Sequence, residues 1–363
     1  MSKTFYYINF IRLNIDYVNA RFSNYSPTKL FLLDFLKFLA GVRFIFKRAR
    51  KIDTKNKVNS LYSLGFSKNQ NIALKELQTM SEKIKHFDCR TSQSSIYPWN
   101  VVYLFSLLFA PLSFIYLSCL LVLKEYRNVL PFCFWECMKC PGYFLGALYF
   151  YSRTNITHLV LADDQNPVAR ALLYVSRYTD VKTIYIQHAG VSNIFPPLDF
   201  DFALLDGEYS ENVYSGISKV TNTLSKTKVL HFGATRYEKF YEVAKDNIES
   251  KINHVIVAIN KADNINEVEE LCQSLSNYGF YVGIKPHPVM KIPDELKKFR
   301  IIDDNNLINC KKSFGIVIAG NSNVLLDAAM LGFLPLYTSK LSEPYDYCGF
   351  VKNRVAYDIA DID

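Results

Sequence analysis

The feature that most constrains the fold is a regular alternation of apolar segments and helical patterns after residue 154. Residues 157–162 and 183–187 have the composition of buried strands, and residues 167–178 between them have the pattern of a helix. A second block has strand patterns at 254–260, 281–285, 315–319 and 334–337, and helical patterns at 265–278, 306–311 and 323–331. Such alternation is typical of parallel sheets covered on both faces. The sequence therefore predicts two doubly wound α/β domains that join near residues 228–236.

The composition agrees with two globular domains. At roughly 100–200 residues per domain, 363 residues correspond to about two domains, each large enough for its own core. A chain that is 50% hydrophobic and 21% charged is neither disordered, nor collagen-like, nor a small disulfide-stapled fold. The 27 Phe and 25 Tyr indicate that part of the chain has apolar surroundings.

The positive charge is concentrated in the first sixty residues. Residues 1–60 carry twelve basic and three acidic side chains, whereas the net charge of the whole chain is +8. Residues 31–47 mix large apolar side chains with Lys and Arg, which is typical of a basic helix lying on an anionic bilayer. An ordinary helix packed on the core fits equally well. Nucleic acid is a poorer partner for this arm, because its apolar side chains include Phe31, Phe35, Phe38, Phe44 and Phe46.

A second apolar region covers residues 101–151. Residues 101–123 contain no charge and exceed the roughly 20 residues needed to cross a bilayer, although Pro111 interrupts them. Residues 129–151 are also apolar, apart from Glu136 and Lys139. A spanning hairpin, a re-entrant or interfacial segment and a buried core helix all remain compatible with this pattern. The first thirty residues show no cleavable signal peptide.

The eight cysteines do not form an obvious framework. Five are scattered in apolar settings, which fits reduced thiols of an intracellular protein. Cys133, Cys137 and Cys140 have the C-x3-C-x2-C spacing by which three thiolates hold an iron–sulfur cluster in radical enzymes that use S-adenosylmethionine. The strand-and-glycine context of that motif is missing, so packed thiols are the favoured interpretation.

Polar residues follow several predicted strands, where ligands gather in open α/β sheets. Asp163 and Asp164 follow one strand, and His188 follows the next. In the second block, Lys285 and His287 come at a strand end, where Pro286 and Pro288 oppose helical continuation and hold both side chains at the rim. Residues 320–323 (Gly-Asn-Ser-Asn) then join a strand to a helix, which predicts either an anion site or a plain N-cap.

These residues occur in an ordered set that resembles a known architecture. The set is IYIQHAGVSNIFPP at 184–197, LDGEYSENVY at 205–214, VLHFGATRYEKF at 229–240, IKPHP at 284–288 and IAGNSNVLLDAAMLGFLPLY at 318–337. It resembles the two-Rossmann (GT-B) glycosyltransferases of bacterial surface polysaccharides. The nearest in pattern are the sialyl- or Kdo-transferases of capsule and lipooligosaccharide and the CDP-glycerol glycerophosphotransferases of teichoic acid synthesis. The resemblance covers about residues 154–340.

The resemblance implies an α/β, GT-B fold in which two Rossmann-like doubly wound domains face a cleft. Residues 1–230 would form the acceptor-side domain, with a basic and apolar membrane-associating part at 1–60 and 101–151. Residues 231–363 would bind the nucleotide sugar, a CMP- or CDP-linked donor. The donor-binding residues implied are Arg236, Lys261, Lys285, His287, Pro288, Gly320, Asn321, Ser322, Asn323 and Asp327. Among them, Asp327 would face the ribose.

The chemistry implied is a metal-independent, inverting transfer that needs a base for the acceptor hydroxyl. His188 matches the His that relatives carry after a buried strand, although Ala189 separates it from the usual Gly. Asp163 or Asp164 would orient His188 or replace it as the base. Asp206 lies before Gly207 and resembles the acid of the acidic-acidic-Gly motif of bacterial sialyltransferases. It also fits a turn.

The resemblance also sets expectations about partners and place. We expect no cofactor or metal, a glycan or lipid-linked acceptor, a membrane surface as partner and no nucleic acid. The protein is expected on the cytoplasmic face of the bacterial inner membrane, as a peripheral protein or with one apolar anchor segment. A sugar-nucleotide 2-epimerase and a non-catalytic polysaccharide-assembly subunit are the alternatives.

Overall fold

The structure, a computed structural model, forms two compact units. The first contains residues 1–188 and 194–233, and the second contains residues 189–193 and 234–363. The described residues are 2–10, 13–14, 26–46, 60–90, 96–223, 225–232, 253–260, 263–287, 290–302, 307–311, 313–341, 346 and 348–361.

The first unit is built on a six-stranded parallel sheet. Its strands are β1 (Ser60–Gly65), β2 (Ile84–Asp88), β3 (Ile156–Leu161), β4 (Lys182–Ile186), β5 (Phe202–Leu205) and β6 (Lys228–His231). Their order is β2-β1-β3-β4-β5-β6. The order in which successive strands are added therefore reverses between β1 and β3. The central strand β3 is apolar along most of its length, because both of its faces are covered.

Ten α-helices accompany this sheet among the described residues, together with a 3₁₀ helix at Arg43–Phe46. They are α1 (Ser2–Ile8), α2 (Pro27–Val42), α3 (Lys68–Met80), α4 (Trp99–Leu108), α5 (Ala110–Val122), α6 (Lys124–Arg127), α7 (Leu130–Met138), α8 (Cys140–Arg153), α9 (Pro167–Ser176) and α10 (Glu208–Val220). The apolar region 101–151 thus folds into the helices α4 to α8.

The second unit has its own six-stranded parallel sheet. Its strands are β7 (His254–Ile259), β8 (Tyr281–Pro286), β9 (Arg300–Ile301), β10 (Ile316–Ala319), β11 (Leu334–Tyr337) and β12 (Tyr357–Asp358), and its helices are α11 (Ile265–Asn277) and α12 (Val324–Leu331). The order β12-β11-β10-β7-β8-β9 is that of the dinucleotide-binding fold, with the reversal between β7 and β10. The expected α/β class with two Rossmann-like units is therefore confirmed. A short 3₁₀ helix, Leu307–Cys310, lies where a helix was predicted at 306–311.

The apolar helices are held together by aromatic packing and leave many apolar side chains exposed. Trp135 of α7 contacts the rings of Phe31, Phe35 and Phe38 on α2. The opposite side of α2 and the outer sides of α4 and α5 are exposed, although their residues are mostly apolar. The exposed apolar residues there are Leu32, Leu33, Leu36, Leu39, Leu104, Leu107, Leu108, Leu112, Phe114, Ile115 and Val122.

Residues 101–123, which were considered as a membrane-crossing segment, fold into a bent pair of helices. Among the described residues, no single helix is both long and apolar enough to cross a bilayer. The pair α4 and α5 reaches that length and composition together, with a bend of 68° between them. The bend occurs at Phe109, one residue before the start of α5, whose first turn contains Pro111.

The cysteines of the C-x3-C-x2-C pattern are packed thiols. Cys133, Cys137 and Cys140 are all buried, and the Sγ atoms of Cys133 and Cys137 lie 3.8 Å apart. Burial raises the pKa of the Cys140 thiol to about 12, so this thiol stays protonated near neutral pH. Among the residues that the structure describes, no group of three or more His, Cys, Asp or Glu side chains is placed to hold a metal ion.

Candidate functional site

The carboxyl ends of β3, β4 and β5 bring the predicted first-unit residues to one edge of the sheet. The strands are neighbours, with Leu161 opposite Tyr185 and Ile186 opposite Leu204. Asp163 and Asp164 follow β3, His188 follows β4, and Asp206 follows β5. The backbone N–H of Asp206 donates to Gln187 Oε1 at 2.9 Å, which ties the ends of β4 and β5 together.

Asp164 is a buried acid in a cluster of hydroxyl groups. Asp164 is only 2% exposed, and one of its carboxylate oxygens accepts a hydrogen bond of 2.7 Å from the hydroxyl of Tyr214 on α10. The hydroxyl of Tyr185 lies 3.3 Å from that of Tyr214. Burial raises the pKa of Asp164 to about 7, although the hydrogen bond from Tyr214 opposes the shift. A pKa of about 7 lies in the range that suits a general acid or base at neutral pH.

Asp163 has a positioning role in the fold. Its carboxylate accepts hydrogen bonds from Gln70 Nε2 at 2.5 Å and from the backbone N–H groups of Gln165 and Asn166 at 2.7 and 2.8 Å. Gln70 belongs to the capping box of α3, which follows β1, so Asp163 links the two strand ends at the reversal of the sheet. The prediction that Asp163 orients His188 or acts as the base stays a prediction.

The second unit has its candidate site at the reversal between β7 and β10. Asn260 follows β7, and its Nδ2 lies 3.4 Å from the backbone carbonyl oxygen of Asn321, which follows β10. The Asn321 side chain is buried, with Nδ2 donating to the Tyr337 hydroxyl and Oδ1 accepting from the N–H of Cys348, both at 3.4 Å. Asn321 therefore holds the shape of the Gly320–Asn323 loop.

The end of this loop forms the start of α12. Asn323 is the N-cap residue, and Ser322 Oγ accepts a long hydrogen bond of 3.4 Å from the N–H of Val324. Gly190, whose segment 189–193 groups with the second unit, lies against Asn323. A Cβ on Gly190 would lie 2.1 Å from Asn323 Oδ1, so a larger residue at position 190 would require the Asn323 side chain to move. Asp327 is half-buried in the first turn of α12.

The residues around the IKPHP segment differ in exposure. His287 follows β8 and is exposed, beside the end of β7, because Ile259 is opposite Pro286. Lys285 was expected at the rim, but its residue is only 7% exposed, because β8 lies between β7 and β9. Three predicted donor-binding residues, Arg236, Lys261 and Pro288, lie outside the described residues.

Sequence reasoning missed Asp263, which contacts Asn260, the residue that reaches the Gly320–Asn323 loop. Its residue is 4% exposed, and Oδ2 accepts a hydrogen bond of 2.7 Å from the N–H of Asn260. The other oxygen, Oδ1, is buried and makes no hydrogen bond in the described structure. Burial raises the pKa of Asp263 to about 7. The signal available in the sequence was an acid between the end of β7 and Asn264, the N-cap residue of α11.

An Asp-x-Asp pattern at 199–201 lies before β5, at the opposite edge of the first sheet. Asp199 accepts hydrogen bonds from Tyr7 and Arg177. Asp201 accepts hydrogen bonds from the N–H and hydroxyl of Thr183 at 2.8 and 3.0 Å, and it pairs with Lys182. Both acids therefore join parts of the first unit.

Comparison with known proteins finds likeness only at the level of structure. No protein-family model matches the chain, and no curated protein matches its sequence. The S. aureus MnaA–UDP structure aligns over 79% of this chain and 81% of its own, at 11% identity and a TM-score of 0.45. A UDP-N-acetylglucosamine 2-epimerase from Rickettsia bellii aligns over 78% and 80%, at 11% identity and a TM-score of 0.45.

The wall teichoic acid polymerase TagF, in a variant form, aligns over 85% of this chain and 78% of its own, at 10% identity and a TM-score of 0.39. These similar structures are of the kind that the sequence resemblance led us to expect. Because every TM-score is below 0.5, these likenesses carry no conclusion about activity.

Proposed function

We propose that the protein is a nucleotide-sugar-dependent transferase of bacterial surface-polysaccharide synthesis. The observation that carries the proposal is the position of polar residues at equivalent edges of the two sheets. Each unit has ionisable side chains at the carboxyl edge of its parallel sheet, where doubly wound folds bind ligands. The first unit offers a histidine and a buried acid that exchanges its proton near pH 7. The second offers a polar loop that leads into a helix N-terminus.

In this proposal the second unit binds the donor. The first N–H groups of α12 and the Ser322 hydroxyl would donate hydrogen bonds to a donor phosphate, which the helix dipole also favours. His287, exposed at the end of β8, would stabilise the negative charge of the departing nucleotide. Asp263 Oδ1 would accept a hydrogen bond from the ribose or the base, because a buried acceptor gains most from a new donor. A CMP- or CDP-linked donor follows from the sequence resemblance.

The first unit would supply the base for the acceptor hydroxyl. His188 is the first candidate, since an imidazole can take a proton near neutral pH. Asp164 is the second candidate, because its pKa of about 7 also allows it to accept a proton. Transfer then proceeds without a metal, as positive and amide groups stabilise the departing phosphate.

The proposal includes a membrane surface on the cytoplasmic side. It is supported by the exposed apolar residues of α2, α4 and α5 and by the exposed cations Lys29 and Lys37 on α2. An apolar face bordered by basic residues fits the interface of an anionic bilayer. A lipid-linked or membrane-anchored glycan is the corresponding acceptor class.

The test is a donor panel assayed in EDTA with the full-length protein. CMP-sialic acid, CMP-Kdo, CDP-glycerol and UDP-N-acetylglucosamine are incubated with and without a lipid-linked glycan acceptor, and the released nucleotide is quantified. We expect one donor to be consumed. His188→Ala should lower turnover by about 10²–10⁴-fold while donor binding persists, and His287→Ala should weaken donor binding. His158→Gln is the matched control, because His158 lies in the amino half of β3 and contacts Thr157 Oγ1.

The same panel separates the alternatives. A sugar-nucleotide 2-epimerase would interconvert the UDP sugar without an acceptor and without releasing nucleotide. A non-catalytic assembly subunit would leave every donor intact. If no donor is consumed and none raises the melting temperature, the proposed transferase function is refuted.

A further inference from the structure

The helical part of the first unit forms a half-open apolar cavity that the proposed chemistry does not use. Its volume is about 390 Å³, within the roughly 300–1,000 Å³ range of small-molecule pockets. The wall consists of side chains from four helices and the residue at the bend between α4 and α5. The lining includes Phe5, Phe109, Leu117, Cys137, Cys140 and Phe144.

The few polar groups of the wall suit a ligand that is mostly hydrocarbon. Ser113 lines the cavity from α5 and is 4% exposed, and within the described part of the chain its hydroxyl makes no hydrogen bond. Thr4 also lines the cavity, but its hydroxyl already donates to the Tyr174 hydroxyl at 2.9 Å. The high pKa that burial gives to Cys140 keeps this thiol neutral. The wall thus offers no charge to a ligand.

The cavity reaches the exposed apolar surface of the first unit at Leu112 of α5. Leu112 both lines the cavity and is exposed, and its neighbours Leu108 and Ile115 are 65% and 60% exposed without lining it. The cavity therefore has an exposed apolar border at Leu112, the side from which a hydrocarbon chain would enter.

Basic residues lie on α1, which lines the cavity, and on α6, which contacts α1. Lys3 is exposed one residue before Thr4, and Tyr6 is hydrogen-bonded to Tyr126 of α6. Exposed Lys124 and Arg127 lie on α6 with one acid, Glu125. The excess of positive charge complements an anionic headgroup.

We propose that this cavity binds one hydrocarbon chain of an anionic lipid, with the lipid phosphate held among the basic residues of α1 and α6. The proposal extends the acceptor side of the proposed function, because a lipid-linked glycan carries such a chain. Binding is measured without nucleotide, so a failed binding test and a failed transfer test are separate results.

The test uses alkyl phosphates with chains of 8, 10, 12, 14 and 16 carbons, kept below their micelle concentrations. Binding to the full-length protein is followed by calorimetry. Each methylene that leaves water should strengthen binding about fourfold until the chain fills the cavity, and longer chains should gain nothing. Alkyl trimethylammonium ions of the same lengths are the headgroup control and should bind more weakly.

Three variants distinguish the cavity from the surface. Ser113→Phe fills the cavity, and Leu145→Trp narrows it from a partly exposed position on α8. Each should weaken binding of the ten-carbon phosphate at least tenfold. Ile115→Ser removes exposed apolar area on α5 outside the cavity, so it should leave that binding unchanged while reducing adsorption to anionic phospholipid vesicles.

The opposite pattern would overturn the proposal. Affinity that rises through every chain length, falls in Ile115→Ser and is unaffected by Leu145→Trp would show adsorption on the surface instead. Absence of binding would also overturn it. Circular dichroism verifies that each variant is folded, and Leu145→Trp decides alone if Ser113→Phe does not fold.

Discussion

Replacing the buried acid Asp164 by asparagine should stabilise the first unit, and the gain should grow with pH. Burial moves the pKa of Asp164 from its usual 3.8 to about 7, and one pKa unit corresponds to about 1.4 kcal/mol. Ionising the native state therefore costs about 4 kcal/mol that the unfolded state does not incur. Asparagine has the same shape and can still accept the hydrogen bond from Tyr214, but it cannot ionise.

The raised pKa fixes the pH range of the effect. Below about pH 3, Asp164 is protonated in both states, so Asp164→Asn and the wild type should be equally stable. Between pH 4 and 7 the unfolded state releases its proton first, and the wild type loses stability. The variant should be more stable by up to about 4 kcal/mol at pH 8.

Urea unfolding followed by tryptophan fluorescence reports on the first structural unit, which contains Asp164. Both tryptophans of the chain, Trp99 and Trp135, belong to that unit. Asp201→Asn is the matched control with the opposite sign. Although burial opposes the shift, the hydrogen bonds from Thr183 and Lys182 lower the pKa of Asp201, so this variant should lose stability at pH 8. An Asp164→Asn gain that is the same at pH 4 and pH 8 would refute the reasoning.

Three further predictions concern packing, charge and the second unit. Gly142→Ala should destabilise the first unit by about 1–3 kcal/mol in the fluorescence assay, because its Cβ would lie 2.1 Å from the Val102 carbonyl oxygen; unchanged stability would contradict the contact of α4 with α8. Lys139→Met should lower the free energy of unfolding by about 3–5 kcal/mol, because it removes the cation that lies 2.6 Å from the partly buried carboxylate of Glu136. Adding Glu136→Gln to this variant should recover part of the lost stability. Asp263→Asn should raise the melting temperature at pH 8 more than at pH 4 and weaken nucleotide binding in calorimetry; a variant that binds the nucleotide as tightly as the wild type would remove Asp263 from the proposed donor site.

The second unit was largely predictable from sequence, because its strands are buried on both faces. A strand such as β7 is a continuous apolar run, and the helix after it has a clear amphipathic pattern. The short final strand β12 carries no such signal, since it pairs over only two residues at the edge of the sheet.

The first unit was harder, because its sheet begins within the basic and aromatic part of the chain. β1 and β2 were not predicted, and β2 is an edge strand whose residues are mostly half-exposed. The environment of Asp164 was equally hidden. Its partner Tyr214 is 50 residues away on α10, so the burial that changes its pKa depends on tertiary packing.

The two acids with raised pKa values occupy equivalent positions in the two sheets. These positions suggest that the acids are kept for function, although they destabilise the fold. Asp164 follows β3 and Asp263 follows β7, so both lie at the carboxyl edge of a parallel sheet. Each destabilises its unit at neutral pH, and an apolar or amide side chain of similar size would avoid that cost. Asp201, at the opposite edge of the first sheet, has a lowered pKa and stabilises the fold. Destabilising ionisable groups are often found at functional sites, so the contrast supports the proposed roles of Asp164 as a candidate base and of Asp263 in donor binding.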